Sequence, residues 1–322
     1  QEMEIDQLCI INSEILDYIL NTVFPVPKNI LDLSGDIHSF TNGPYRLYPS
    51  LVNYSNTDNP FQIEQRDDYK VAERIFESWL KRYGLQKFKY VCIHMRAQGY
   101  KSDTAHQHEY TNRNTPIEDL QKTISYLQDH RLPVVRVGDI HMPKIYHENV
   151  LDFANLQVAL PYIDYFLNKY SLFNLYDSSG AGFISVLTGK RTYLYNLHPP
   201  MMVGWGDNDI CIFQKLYWKN TKKYLTISEI FSVGGPASTC SVAKWKEGGI
   251  DVQKNDENEI LELCMLALYI ENQGDNKNLT DKIKHDKLNK KMKTLIPRKA
   301  FNYGVNASVM PTFLKKLEGC LK

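Results

Sequence analysis

The chain has no apolar run of the roughly 20 residues that a membrane-crossing helix needs. Its N-terminus, Gln1-Glu2-Met3-Glu4-Ile5-Asp6, is acidic and has no signal-peptide pattern. Methionine is missing from position 1, so the expectation is a piece of a longer protein. Charge of one sign is also missing. The 38 Lys and Arg against 37 Asp and Glu leave a net +1, which excludes an overall bias toward polyanions and makes a nucleic-acid partner unexpected. Cysteine is sparse: the six stand at positions 9, 92, 211, 240, 264 and 320, and no two form a CxxC pair. Scattered cysteines in a chain this size point to reduced, buried thiols and a cytoplasmic setting.

What remains is an ordinary globular composition, 43% hydrophobic and 23% charged, in 322 residues. That length suits one large or two ordinary domains. From Ile11 to Phe24 the apolar residues recur at helical spacing, and Pro25 and Pro27 end the run. Residues 31–60 are loop-like, rich in Asn, Ser, Asp, Gly and Pro. Asp67–Tyr83 predicts an amphipathic helix with Val71, Ile75, Trp79 and Leu80 on its apolar face and Gly84 as its stop. Strands are then predicted at 88–96, 133–139, 150–153, 172–176 and 191–196. Helices are predicted at 118–130, 161–169, 182–188, 225–231 and 255–272. Strands alternating with helices mean an α/β fold: a parallel sheet covered on both faces. Residues 276–294 carry seven lysines, as a solvated helix face or as a contact with anionic membrane or a charged glycan carrier.

Ligands of such sheets bind beyond the carboxyl ends of the strands. Four of those ends are polar. The first strand ends in His94-Met95-Arg96, the second in Arg136, Gly138 and Asp139, the fourth in Asp177-Ser178-Ser179-Gly180, and the fifth in Asn196 followed by His198-Pro199-Pro200. The Ser-Ser-Gly turn lets a ligand approach the backbone, and the N–H groups at the helix start beyond it attract anions. A guanidinium pairs bidentately with phosphate oxygens, which makes Arg96 the candidate for a diphosphate. Arg136, between Val135 and Val137, reads equally as a partner in an ion pair. In the long polar segment 98–114, Asp103 or His106 is a candidate acid or base, and Arg113 and Asn114 are candidates for an acceptor or phosphate. A metal on Asp103, His106, His108 and Glu109 is the lesser reading, and no metal is expected.

Taken together these motifs resemble the glycosyltransferases of bacterial surface-polysaccharide loci, which have the GT-B fold. The resemblance runs from about Lys89 to Glu271. It rests on His94-x-Arg96, Gly99-Tyr100, Asp103, Tyr110, Arg113-Asn114, Val135-x-Val137-Gly138-Asp139, Asp164, Ser178-Ser179-Gly180, Asn196 with Pro199-Pro200, Lys215 and Leu225-Thr226-x-x-Glu229. The His-x-Arg element with a downstream serine-glycine turn is also similar to the donor site of fucosyltransferases that use GDP-fucose.

The resemblance implies a parallel Rossmann-like sheet in a C-terminal domain, with a short or incomplete N-terminal domain. On that division 1–86 is an acceptor-side region, 87–272 binds the nucleotide-sugar, and 273–322 is a lysine-rich helical segment. It implies metal-independent transfer from a nucleotide-sugar to a glycan or lipid-linked glycan. No cofactor is expected beyond that co-substrate. The setting is cytoplasmic, with peripheral contact at the inner membrane left open. The residues it points to as donor-binding are His94, Arg96, Arg113, Asn114, Asp139, Ser178, Ser179, Gly180, Asn196 and Lys215, with Arg96, Asp103 and His106 catalytic. Two departures from the family pattern stand out: fewer than 90 residues precede the first strand, and Ala97-Gln98-Gly99 follows His-x-Arg where an acidic residue is frequent. A sugar-nucleotide epimerase or hydrolase of the same fold, and a non-catalytic nucleotide- or glycan-binding module, are the alternatives.

Overall fold

The structure is a computed structural model and describes residues 67–97, 114–138, 142–156, 163–179, 182, 185, 188–197, 208–234, 242–274, 277–297 and 307–322. The predicted helix at 11–24 and the loop-like stretch 31–60 lie outside them.

The centre of the fold is a seven-stranded sheet in which every pairing is parallel. In chain order its strands are β1 (Val91–His94), β2 (Val134–Arg136), β3 (Val150–Asp152), β4 (Phe173–Tyr176), β5 (Thr192–Leu197), β6 (Ile210–Phe213) and, after two strands outside the sheet, β9 (Ser308–Val309). Across the sheet the order is β3-β2-β1-β4-β5-β6-β9. The first six follow the doubly wound, Rossmann-like order. β7 (Lys215–Trp218) and β8 (Ile250–Gln253) form a separate antiparallel pair.

The strands are apolar almost throughout because both faces are covered. α1 (Asp67–Arg82), α2 (Gln121–Asp129) and α3 (Ile163–Tyr170) come first in the chain. The hydroxyl of Tyr90 and the thiol of Cys92 both donate to the Leu167 carbonyl of α3, which covers their face. Tyr176 reaches the same helix, donating to Asn168 Oδ1 at 2.7 Å. Strand side chains alternate, so Tyr193 emerges on the opposite face and donates to Glu271 at 2.8 Å. Glu271 belongs to the long helix that covers that side. In chain order the remaining helices are α4 (Ile227–Gly234), α5 (Val242–Glu247), that long helix α6 (Glu257–Asn272), α7 (Lys277–Lys284), α8 (Lys287–Leu295) and α9 (Pro311–Lys316).

α1 corrects one expectation. Its buried face is Tyr69, Ala72, Phe76 and Leu80, whereas Val71 and Ile75 are 53% and 51% exposed. Aromatic packing sets the phase. Phe76 stacks on Phe166 of α3 at 5.2 Å, and Tyr69 tilts against the same ring at 5.1 Å. Aromatic side chains bury about 150–250 Å² each, more area than Val71 or Ile75 offers. α1 ends in a Schellman turn: Leu85 N–H donates to Leu80 O and Gly84 N–H to Lys81 O, with Gly84 at φ +68°.

The lysine-rich stretch forms α7 and α8, whose inner sides bury Ile283, Asn289 and Met292. Asn289 ties α8 to β9, donating to Val309 O at 2.9 Å and accepting from Val309 N–H at 2.8 Å. Residues after 307 therefore add an edge strand to the main sheet. Arg136 is buried and pairs with Asp152 of the neighbouring strand β3 at 3.0 Å. Among the described cysteines, Cys92, Cys211 and Cys264 are buried and in no disulfide.

Candidate functional site

The chain leaves β1 to build β2 and β3 on one side, then returns to build β4, β5 and β6 on the other. At such a switch point the loops diverge and open a crevice outside the carboxyl ends of the two central strands. Here those strands are β1 and β4. Their register pairs His94 with Tyr176, which brings Asp177, one residue further on, to the rim beside His94.

Asp177 is the hub of this rim. It is fully buried. Its Oδ1 lies 2.8 Å from His94 Nδ1, and its Oδ2 accepts the backbone N–H of Arg96. Its own N–H donates to the His94 carbonyl at 3.3 Å. A second donor to that carbonyl comes from β5, the Tyr195 hydroxyl at 2.8 Å. Burial pushes the Tyr195 phenol well above its ordinary range, and the nearby Asp177 charge adds to the rise. Tyr195 is therefore a neutral donor that fastens the end of β1. Ser179 Oγ stands 2.9 Å from the same His94 Nδ1. The first turn after β4 thus folds back over the β1 terminus.

Gly138, after β2, completes the rim on the other side of His94. Its φ of +150° suits glycine, and a Cβ there would lie 2.5 Å from Met142 Sδ and 3.5 Å from His94 Cδ2.

A second buried network supports the end of β5. Asn196 holds φ +50°, a left-handed conformation for which Asn is better suited than most residues. Asn255 secures it by a reciprocal pair: Asn196 N–H donates to Asn255 Oδ1 at 2.8 Å, and Asn255 N–H donates to Asn196 Oδ1 at 2.6 Å. Asn255 Nδ2 also donates to Glu259 Oε2 at 3.2 Å. Glu259 closes the capping box of α6 with Asp256 and accepts from Lys215 Nζ at 2.6 Å. Lys215 is buried, with its charge opposite Glu259.

The structure brings together His94, Arg96, Ser178 and Ser179 at the ends of β1 and β4. Arg96 is half-buried, and its carbonyl accepts from Thr115 N–H at 2.9 Å. Asn114, one residue before Thr115, gives its carbonyl to Lys254. Asn196 reaches the same neighbourhood through Thr115, donating to its Oγ1 at 3.4 Å. Lys215 belongs to the supporting network, joined to the rim through Glu259, Asn255 and Asn196. Asp103, His106, Arg113, Asp139 and Gly180 lie outside the described residues.

Sequence reasoning quoted Asp177 as the start of the serine-glycine turn and gave it no role. Its position directly after the strand Phe173-Asn174-Leu175-Tyr176, three of whose four residues are hydrophobic, was the available signal, because a carboxylate there is buried and must be paired. Asn255 could have been noticed as the residue preceding the Asp256-x-x-Glu259 capping box. Among the described residues no cluster of three or more His, Cys, Asp and Glu is arranged to hold a metal ion, and no helix is long and apolar enough to cross a membrane. No protein-family model, curated protein or solved structure matches the chain.

Proposed function

We propose that this chain is a glycosyltransferase that moves a sugar from a nucleotide-sugar donor, of the GDP-fucose kind, to a hydroxyl of a glycan or lipid-linked glycan, as a GT-B-like donor domain. The observation that carries the reading is the meeting of His94, Arg96, Ser178 and Ser179 at the switch point of a Rossmann-like parallel sheet. The motif resemblance in the sequence adds to it.

In this reading the nucleotide lies across the carboxyl ends of β1 and β4. The Arg96 guanidinium faces the diphosphate and offsets the charge that builds on it as the glycosidic bond breaks. Asp177 holds the Arg96 backbone in place for that role. Ser178 and Ser179 supply short polar side chains where the ligand backbone comes close. The Asn196–Asn255 pair and Lys215–Glu259 keep the neighbouring strand end rigid. The acceptor hydroxyl approaches from outside the sheet and must lose a proton as it attacks.

The test is a panel of UDP, GDP, CMP and dTDP sugars. Any donor at about 100 times its dissociation constant stabilises the fold by about 2.7 kcal/mol and raises the melting temperature. The donor that does so should release nucleotide faster when a glycan acceptor is present, and Arg96→Ala should remove both responses. No thermal shift and no turnover with any member of the panel contradicts the proposal.

A further inference from the structure

Charge is balanced over the whole chain but not along it. Residues 277–299 hold nine of the 38 Lys and Arg and only two acidic residues, Asp281 and Asp286. The rest of the chain therefore carries more Asp and Glu than Lys and Arg. α7 and α8 fix which way the described part of this stretch faces. Thr280 and Ile283 of α7 and Asn289 and Met292 of α8 are buried. Asn289 Nδ2 donates to Ile283 O at 3.1 Å as well as to Val309 O, which joins the two helices to each other and to β9. Lys282, Lys287, Lys290 and Lys291 point away from these buried sides and are exposed. Among the described residues none of the four makes a hydrogen bond or ion pair. Their placement works against the fold. Lys287, Lys290 and Lys291 stand three and four positions apart on one helix face, where like charges repel. Lys287 also opens α8, at the positive end of the helix dipole, where a carboxylate is the favourable residue. Asp286 is engaged in capping that end, accepting from Leu288 and Asn289 N–H. Among the described residues nothing offsets the repulsion.

We propose that the outer sides of α7 and α8 dock on the anionic headgroups of a lipid bilayer. Lipid anions lying against the four lysines relieve their mutual repulsion. A cluster of about four to eight basic residues on an amphipathic helix is the pattern that anionic leaflets attract. The four cations are all lysine. A lysine is a compact charge that suits a dense layer of headgroups, whereas the planar fork of arginine suits the fixed phosphates of nucleic acid. No exposed aromatic ring stands among them for a base to stack on. The exposed rings of the described residues, Phe88, Tyr146, Tyr224 and Tyr269, belong to other parts of the fold. The inference goes beyond the nucleotide-sugar reading and does not rest on it, because α7 and α8 lie against β9, three strands away from β4.

The experiment is flotation of the full chain with vesicles of two parts phosphatidylcholine to one part phosphatidylglycerol. Binding is expected in about 0.1 M salt and release in about 1 M, as the Debye length falls from about 10 to about 3 Å. Each lysine at an anionic surface contributes about fivefold in partitioning, so the triple variant Lys287→Gln, Lys290→Gln, Lys291→Gln should lose about 10²-fold. Its melting temperature should equal or exceed that of the wild type, since repulsion on the helix is removed; this separates lost docking from lost folding. The triple variant Lys219→Gln, Lys222→Gln, Lys223→Gln removes as many exposed lysines from the turn after β7. Its partitioning should stay within about threefold of the wild type, because charges beyond a Debye length from the leaflet are screened. No binding to these vesicles, equal binding to phosphatidylcholine alone, or equal loss in the two triple variants overturns the proposal. So does binding that persists in about 1 M salt, a result read on the wild type alone. A duplex oligonucleotide that displaces the vesicles at the same salt marks a nucleic-acid face and overturns the lipid assignment. None of these outcomes bears on the nucleotide-sugar panel, which reads the crevice at β1 and β4.

Discussion

Replacing Asp177 with alanine removes the acceptor of two buried donors, the His94 Nδ1–H and the Arg96 backbone N–H. A buried donor left without a partner costs roughly 1–3 kcal/mol. The two together predict a loss of about 2–6 kcal/mol. Burying a carboxylate is itself costly, and its removal offsets part of that loss, so the lower half of the range is expected, about 2–4 kcal/mol. Asparagine behaves differently. Its oxygen keeps the Arg96 bond and its amide donates to Nδ1 once the imidazole changes tautomer, so only the charge assistance is lost, about 1 kcal/mol. Urea unfolding followed by circular dichroism gives both values, provided the slope with denaturant is unchanged. In melting temperature the alanine variant should fall by roughly 2–4 °C per kcal/mol. An alanine variant within about 0.5 kcal/mol of the wild type, or an asparagine variant less stable than the alanine one, refutes the hub assigned to Asp177.

The supporting network, the helix turn and the buried phenols give further outcomes. Lys215→Met leaves Glu259 buried without its cation and should cost roughly 3–5 kcal/mol, while the double variant with Glu259→Met should recover a large part; equal losses would count against the pairing. Gly84→Ala adds a Cβ that meets nothing within 4 Å at φ +68°, so only the backbone penalty is expected, about 1–2 kcal/mol in thermal or urea unfolding. Burial raises Tyr90, Tyr176, Tyr193 and Tyr195, and also the Cys92 and Cys264 thiols. Their stabilisation is fully present below the unfolded values, near 8.5 for thiols and 10 for phenols, and is lost as pH rises through the folded ones. In that window the unfolded chain binds fewer protons than the native one, so stability falls with rising pH by about 1.4 kcal/mol per pH unit for each such group. Flat stability between about pH 9 and 11 would contradict their burial.

The alternation of strand and helix was legible because mostly apolar runs such as 91–94 and 173–176 are flanked by helical periods. β6 is a run of four residues and β9 of two, too short to carry a period, and both are specified by their partners across the sheet. The phase of α1 was misread because Val71 and Ile75 compete on hydrophobicity with Tyr69 and Phe76. Only the Phe166 ring, about 90 positions away, decides between them. The ends of β1 and β4 were visible as polar punctuation. That His94 and Asp177, 83 positions apart, form one unit was not, since it depends on the parallel register that sets His94 against Tyr176. Lys215 was expected to bind the donor. Its partner Glu259 lies 44 positions on, in the first turn of α6, where the sequence signals a cap and not an ion pair.

The most direct measurement is a crystal structure with the nucleotide-sugar that gives the largest thermal shift. The account predicts the diphosphate outside the carboxyl ends of β1 and β4, with an oxygen within hydrogen-bond distance of Ser179 Oγ and the Arg96 guanidinium against it. A nucleotide bound elsewhere on the molecule, with packed apolar side chains filling the space beyond His94 and Ser179, would contradict it.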